Sequence, residues 1–260
     1  MKIALAQIRS TPGDITSNGT TVLRGIRTAA DRGCDAVVFP EMSDTGYHMP
    51  TIVRTAGTWD GGVFADIVAA AVDAKITVVA GLSERVGRDI FNTVAVIGPD
   101  GRLIAKYRKT HLITAEPVCE QNYIRAGDAL TLCEIGEFRV GLMTCYDVRF
   151  PELARKLALS GAEVLIVPAA FPAVRIGHWE TITACRAIEN QVYVAAVNRV
   201  GEDHGLAFGG TSRLYDPYGT VLAAAETDEA LLVGEITKER LAAVRGQLKV
   251  YQDRREELYR

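Results

Sequence analysis

Val140-Gly-Leu-Met-Thr-Cys-Tyr-Asp-Val-Arg-Phe-Pro-Glu152 is an apolar run that stops at a thiol. A polar, charged segment follows at once. Pro151 then opens a helical pattern, at a position where its missing N–H costs nothing. This order reads as a buried strand, a tight connection and a helix, the repeating unit of an α/β sheet. A nucleophile needs such a placement: held rigidly by the strand, yet at the strand's end where a substrate can reach it. A structural cysteine more often lies inside the apolar run.

Upstream, residues 2–8 alternate like a strand, and residues 17–32 carry Val22, Ile26, Ala29 and Ala30 at helical spacing, with Gly33 as the stop. Residues 35–39 form a short apolar run ended by Pro40 and Glu41. The spacing predicts a helix over 62–74 and a strand over 76–81. Two hairpins follow: 92–97 with 103–108 around Gly98-Pro-Asp-Gly101, then 130–134 with 138–144 around Ile135-Gly-Glu137. Beyond Cys145 the pattern predicts a helix over 151–160, a strand over 163–167, a helix over 178–190 and a strand over 192–197. Short strands surround Asp216-Pro-Tyr-Gly219, another covers 231–236, and a helix covers 238–245. Hairpins mixed with strand–helix units predict an α/β fold with a mixed sheet under helices, one domain over residues 1–260. The tail 247–260 is charged and shows no core face of its own.

With 48% hydrophobic and 23% charged residues among 260, the chain can bury a substantial core. A net charge of −3, with no basic cluster larger than the three charges of Lys106-Tyr-Arg-Lys109, argues against a nucleic-acid partner. No segment approaches the roughly 20 apolar residues of a membrane span. The start of the chain does not read as an export signal, so a cytoplasmic location is expected. Five cysteines, an odd count with no C-x-x-C pair, make disulfides unexpected. His178 and Cys185 share a helix face, but two ligands without carboxylate support do not make a metal site. The plain reading is a polar residue at a helix start and a buried thiol.

Three segments share one form, an apolar run with an ionisable residue where it ends: Val37-Val-Phe-Pro-Glu41, Leu103-Ile-Ala-Lys-Tyr-Arg-Lys109 and Gly141-Leu-Met-Thr-Cys145. In α/β folds, sites collect at the carboxyl ends of strands. A carboxylate, an ammonium and a thiol meeting there have complementary chemistry. A nearby cation makes a thiol ionise more readily. The carboxylate can take and return a proton. The ammonium can stabilise negative charge on a carbonyl oxygen. Each also has a plain alternative: Glu41 a solvated charge or cap partner, Lys109 a surface charge, Cys145 a small hydrophobe.

Phe39-Pro-Glu41, Tyr107-Arg-Lys109-Thr-His-Leu112 and Thr144-Cys145-Tyr-Asp-Val-Arg-Phe-Pro-Glu152 resemble the three signature blocks of the nitrilase superfamily of carbon–nitrogen hydrolases. The resemblance continues in order through Pro168-Ala-Ala-Phe171, His178-Trp-Glu180, Arg186-Ala-Ile-Glu-Asn190, Ala196-Val-Asn198, Gly210-Thr-Ser212 and Asp216-Pro-Tyr-Gly219. It implies Cys145 as nucleophile, Glu41 as general base and later proton donor, and Lys109 as oxyanion stabiliser, with the Tyr146 backbone N–H as second oxyanion donor. It also implies a second glutamate that orients the triad. Glu120 is the candidate, in a stretch that resembles the family's block, and Glu116 competes with it. No metal and no cofactor is implied. The fold implied is a four-layer α-β-β-α sandwich. At least a homodimer is implied, paired through the helices over 151–160 and 178–190, with the tail 247–260 packing on the partner.

Cys-Tyr-Asp followed by Arg-Phe-Pro-Glu resembles the amidase-like branch, the omega-amidases and the amidases of deaminated glutathione, more than the Cys-Trp-Glu of true nitrilases. The resemblance therefore implies a small-molecule carboxamide substrate, with a nitrile or an N-carbamoyl group as the alternative. Ile113 departs from the Phe that often follows His-Leu, and Ala173-Val-Arg175 replaces a Thr- and Gly-rich stretch. Arg175 is a candidate carboxylate clamp or a surface arginine. Met42, Tyr47 and Phe171 are candidates for the acyl pocket. His111 borders the site or packs beside it. Arg186 and Glu189 belong to a buried network or a subunit contact. A papain-like enzyme using His111 or His178, or an inactive scaffold on the same fold, are the rival readings.

Overall fold

The computed structural model describes residues 1–259. Its strands are β1 (Lys2–Gln7), β2 (Ala36–Phe39), β3 (Thr77–Val86), β4 (Asp89–Ile97), β5 (Leu103–Arg108), β6 (Leu132–Ile135), β7 (Phe138–Leu142), β8 (Val164–Ala169), β9 (Tyr193–Asn198), β10 (Val200–Asp203), β11 (Leu206–Gly209), β12 (Arg213–Tyr215), β13 (Val221–Ala224) and β14 (Ala230–Glu235). The helices are α1 (Ile15–Asp31), α2 (Met49–Thr55), α3 (Gly62–Ala74), α4 (Pro151–Leu159), α5 (Ile176–Asn190), α6 (Lys238–Gln247) and α7 (Val250–Asp253). Two six-stranded mixed sheets form, ordered β14-β1-β2-β3-β4-β5 and β13-β12-β9-β8-β7-β6.

Period-two alternation assigns the two faces of each sheet. Ile3 and Leu5 of β1, Ala36 and Val38 of β2, Val164 and Ile166 of β8, and Tyr193, Ala195 and Val197 of β9 meet in one core between the sheets. Their neighbours face outward. Ala4, Ala6, Val37 and Phe39 pack under α1 and α3, while Leu165, Val167, Val194 and Ala196 pack under α4 and α5. The result is the four-layer α-β-β-α sandwich.

Three elements depart from the sequence reading. β3 runs on to Val86 and pairs with β4 through a turn at Gly87 and Arg88, although Ser83, Glu84 and Arg85 break the apolar run. Ser83 and Glu84 are buried there because their side chains are paired, to Asp44 and to Lys106 and Arg108 respectively. The hairpin β10–β11 and the seven-residue α2 carry too few apolar positions for their period to register. The tail also differs. Leu248 O accepts from Gln191, and Tyr251 packs on the α4–α5 core while its hydroxyl donates to Asn190 O, so part of it covers its own chain.

Candidate active site

Glu41 follows β2, Lys109 follows β5, and Cys145 opens a 3₁₀ turn (Cys145–Arg149) after β7. Glu41 and Lys109 are fully buried and Cys145 is 1% exposed. Lys109 Nζ lies 2.9 Å from Glu41 Oε1 and 2.9 Å from Glu120 Oε1. Glu41 Oε1 also accepts from Asn92 Nδ2 at 2.6 Å, and its Oε2 accepts the Ala170 N–H at 2.8 Å. Glu120 Oε1 accepts from the Tyr47 hydroxyl at 2.8 Å, and Oε2 from the Ile113 N–H at 2.7 Å. Every oxygen of the two buried carboxylates is thus bonded, the condition under which buried charge is tolerated. Gly81 makes room for the Glu41 turn: a Cβ there would sit 2.5 Å from Pro40 O and 2.6 Å from Glu41 Cα.

Cys145 has φ +46°, in the left-handed region, which for a non-glycine residue costs about 1–3 kcal/mol and must be held in place by its surroundings. Thr144 N–H donates to Asp147 Oδ2 at 2.8 Å, and Arg186 Nε donates to Val148 O at 2.9 Å from α5, closing the turn from both sides. The first bond inside the turn runs from Asp147 N–H to Thr144 O. The N–H groups of Cys145 and Tyr146 precede it, without acceptors in the helix, as at any helix start.

Burial pushes the Cys145 thiol well above its ordinary pKa. The adjacent Glu41 charge adds to that, and Lys109 and the Ala170 N–H only partly oppose it. Lys109 favours ionisation, as expected from its sequence position, but burial and Glu41 outweigh it. Burial alone would lower the pKa of the Lys109 ammonium, but Glu120 and Glu41 more than offset it and hold it well above the usual lysine value. Both shifts favour the protonated forms, a neutral thiol beside a charged ammonium.

Of the two candidate glutamates, Glu120 lies against Lys109 and Glu116 is exposed. Tyr47 is buried, its hydroxyl on Glu120, its N–H on Asp203 at 2.7 Å and its ring 5.8 Å from Lys109 Nζ, so it braces the charged cluster. Met42 is fully buried beside it. Phe171 turns its ring onto Trp179 at 5.2 Å, and Asn198 bonds its N–H and carbonyl at 2.7 and 3.2 Å. Tyr146 is half-buried. Arg175 is exposed, and among the described residues its side chain has no hydrogen bond or ion pair. His111 stacks on Phe150 at 3.8 Å and bonds Asp147 through Nδ1 at 2.7 Å. His178 is exposed. So is Cys185, against expectation, because α5 buries the stripe of Trp179, Thr183, Arg186, Ala187 and Asn190 instead. Sequence reasoning missed Asn92, the Ala170 N–H and Asp147. Only Asp147 had a signal, the Thr-x-x-Asp spacing of a capped turn.

A carbon-nitrogen hydrolase model matches residues 2–246. The chain belongs to that family. Human omega-amidase NIT2 is 34% identical to this carbon-nitrogen hydrolase over 261 residues, 97% of this chain and 94% of its own. The 2-oxoglutaramate amidase of Bacillus subtilis (strain 168) is 34% identical over 226 residues, 86% of each chain. Among solved structures, a glutamate-to-leucine mutant of the amidase from Nesterenkonia sp. AN1 superposes with a TM-score of 0.89 at 26% identity, covering 100% of this chain and 95% of that one. It shows covalent addition of the acetamide moiety of fluoroacetamide at its active-site cysteine.

Proposed function

We propose that the chain is an amidase that hydrolyses a small carboxamide to a carboxylate and ammonia through a thioester on Cys145. The observation that carries this reading is the buried cluster in which Lys109 joins Glu41 and Glu120 beside Cys145. Cys145 sulfur attacks the amide carbon as its proton passes to Glu41. Charge on the carbonyl oxygen is received by the Lys109 ammonium and the Tyr146 N–H. The C–N bond then breaks, Glu41 returns its proton to the leaving nitrogen, and ammonia departs. A water that loses a proton to Glu41 attacks the thioester, the C–S bond breaks, and Glu41 passes that proton to the departing sulfur, which restores the thiol and its own carboxylate. Glu120, held by Tyr47 and the Ile113 N–H, keeps Lys109 aimed and charged.

The names of the relatives and the Cys-Tyr-Asp run both favour an amide over a nitrile or ureido acid. Arg175, exposed and unpaired among the described residues, is the proposed clamp for an acidic substrate. The rest of the reading is one catalytic domain, acting in the cytoplasm as at least a homodimer paired through α4 and α5. Leu248, Leu258 and Tyr259 of the tail are exposed and available to a partner subunit. No described helix is long and apolar enough to cross a membrane. Ammonia release from a panel of amides, nitriles and ureido acids tests the proposal, together with intact-mass detection of an acyl adduct on Cys145. Turnover confined to nitriles or ureido acids, or amide turnover by a Cys145→Ala variant, would refute it.

A further inference from the structure

Asp147 is fully buried two residues beyond Cys145. Its Oδ2 accepts the Thr144 N–H at 2.8 Å and the Tyr107 hydroxyl at 2.7 Å. Its Oδ1 accepts the His111 N–H at 3.1 Å, the Thr110 hydroxyl at 3.3 Å and His111 Nδ1–H at 2.7 Å. Among the described residues no lysine or arginine pairs with it. The Thr144 donor belongs to the nucleophile turn. All the others belong to residues 107–111, the segment that carries Lys109. One side chain therefore ties together two segments that come from different sheets.

We propose that Asp147 is a positioning residue that sets the span between the Lys109 ammonium and the Tyr146 N–H. These are the two oxyanion donors of the amidase reading, on which this inference rests. Asp147 bonds the Thr144 and His111 backbones and neither the Cys145 nor the Lys109 side chain, so its part is geometric. A carboxylate is required because both of its oxygens face a backbone N–H, which cannot reverse its direction. In an Asp147→Asn variant the amide NH₂ must oppose the N–H of either Thr144 or His111, whichever way it turns. One of the two segments then moves.

Steady-state kinetics and Cys145 alkylation separate this role from a purely structural one. Alkylation by a haloacetamide forms an S–C bond, breaks the carbon–halogen bond and sends the thiol proton to Glu41. It builds no charge on the carbonyl oxygen. Asp147→Asn is expected to lower kcat for amides about 10²–10³-fold, the loss typical of a misplaced oxyanion donor. KM and the alkylation rate should stay within about threefold of the wild type. Tyr107→Phe, which removes one donor, is expected to cost about tenfold in kcat, and the double variant less than the product of the two, because the pair shares one contact. Turnover by Asp147→Asn within about threefold of wild type, or turnover and alkylation falling in parallel, would overturn the proposal. Should Asp147→Asn fail to fold, an unchanged kcat in Tyr107→Phe overturns it. Wild-type protein that releases no ammonia from any amide overturns the amidase reading and this inference together, whereas an active Asp147→Asn variant overturns this inference alone.

Discussion

Lys109→Met removes the one cation that serves two fully buried carboxylates while nearly preserving side-chain volume. Met fills the channel of the lysine stem, so the cavity cost is small. The electrostatic cost is large, because Glu41 and Glu120 each lose a 2.9 Å partner at a fully buried position. Removing one member of a buried ion pair typically costs about 3–5 kcal/mol. In a chain of this size each kcal/mol moves the melting temperature by about 2–4 °C, so the variant should melt about 6–20 °C below wild type. Ammonia release should fall at least about 10²–10³-fold through loss of the oxyanion donor. Calorimetry at neutral pH and a steady-state ammonia assay measure the two effects. Adding Glu120→Gln to Lys109→Met takes away one uncompensated charge, and should restore part of the lost stability with no recovery of turnover. A single variant that melts within about 2 °C of wild type would show that the ammonium does not compensate these carboxylates.

Because Glu41 takes the thiol proton as sulfur attacks, the alkylation rate of Cys145 should stay flat across neutral pH, and Glu41→Gln should slow it and make it climb with pH as free thiolate becomes the reacting form; a wild-type rate that climbs steadily through neutral pH would contradict base-assisted attack. Glu41→Gln should lower amide turnover about 10²–10⁴-fold, as expected for loss of a general base, whereas the exposed His178→Gln should leave it within a few-fold. The reverse pattern in a kinetic comparison would favour a histidine base. Arg175→Ala should raise KM for acidic amides and leave neutral amides unaffected; equal effects on both would discard the clamp.

The fold was legible wherever burial imposed a period. β1, β2, β8 and β9 alternate between two apolar cores, and runs such as Val37-Val-Phe39 have no exposed face. It was illegible where buried positions are polar. The outer half of β3 reads as a loop because Ser83 and Glu84 look solvated, and only their partners on Asp44, Lys106 and Arg108 make them strand residues. The site divides the same way. Glu41, Lys109 and Cys145 stand out because each ends an apolar run. Asn92 lies in the middle of β4 and contributes through one long-range bond to Glu41, so nothing local marks it. The Ala170 N–H has no side chain to signal it at all. A main-chain donor is visible only once β2 and β8, strands of the two facing sheets, end over the same carboxylate.

Burial of this much charge is compatible with catalysis because the proposed reaction does not change the total. In the proposed reaction the starting site is a neutral thiol, one ammonium and two carboxylates, a net −1 from the four side chains. When sulfur attacks, its proton moves to Glu41 and a negative charge appears on the substrate oxygen. The sum is unchanged, and the charge has shifted from one partner of Lys109 to a neighbouring position. Charge that moves within a dry site among fixed dipoles needs little reorganisation, and that is where preorganised donors act most strongly. A resting thiolate would break this balance, adding a second net negative charge that Lys109, already shared between two carboxylates, has no capacity to neutralise. In the proposed reaction the proton that the thiol keeps at rest is the one the leaving nitrogen receives.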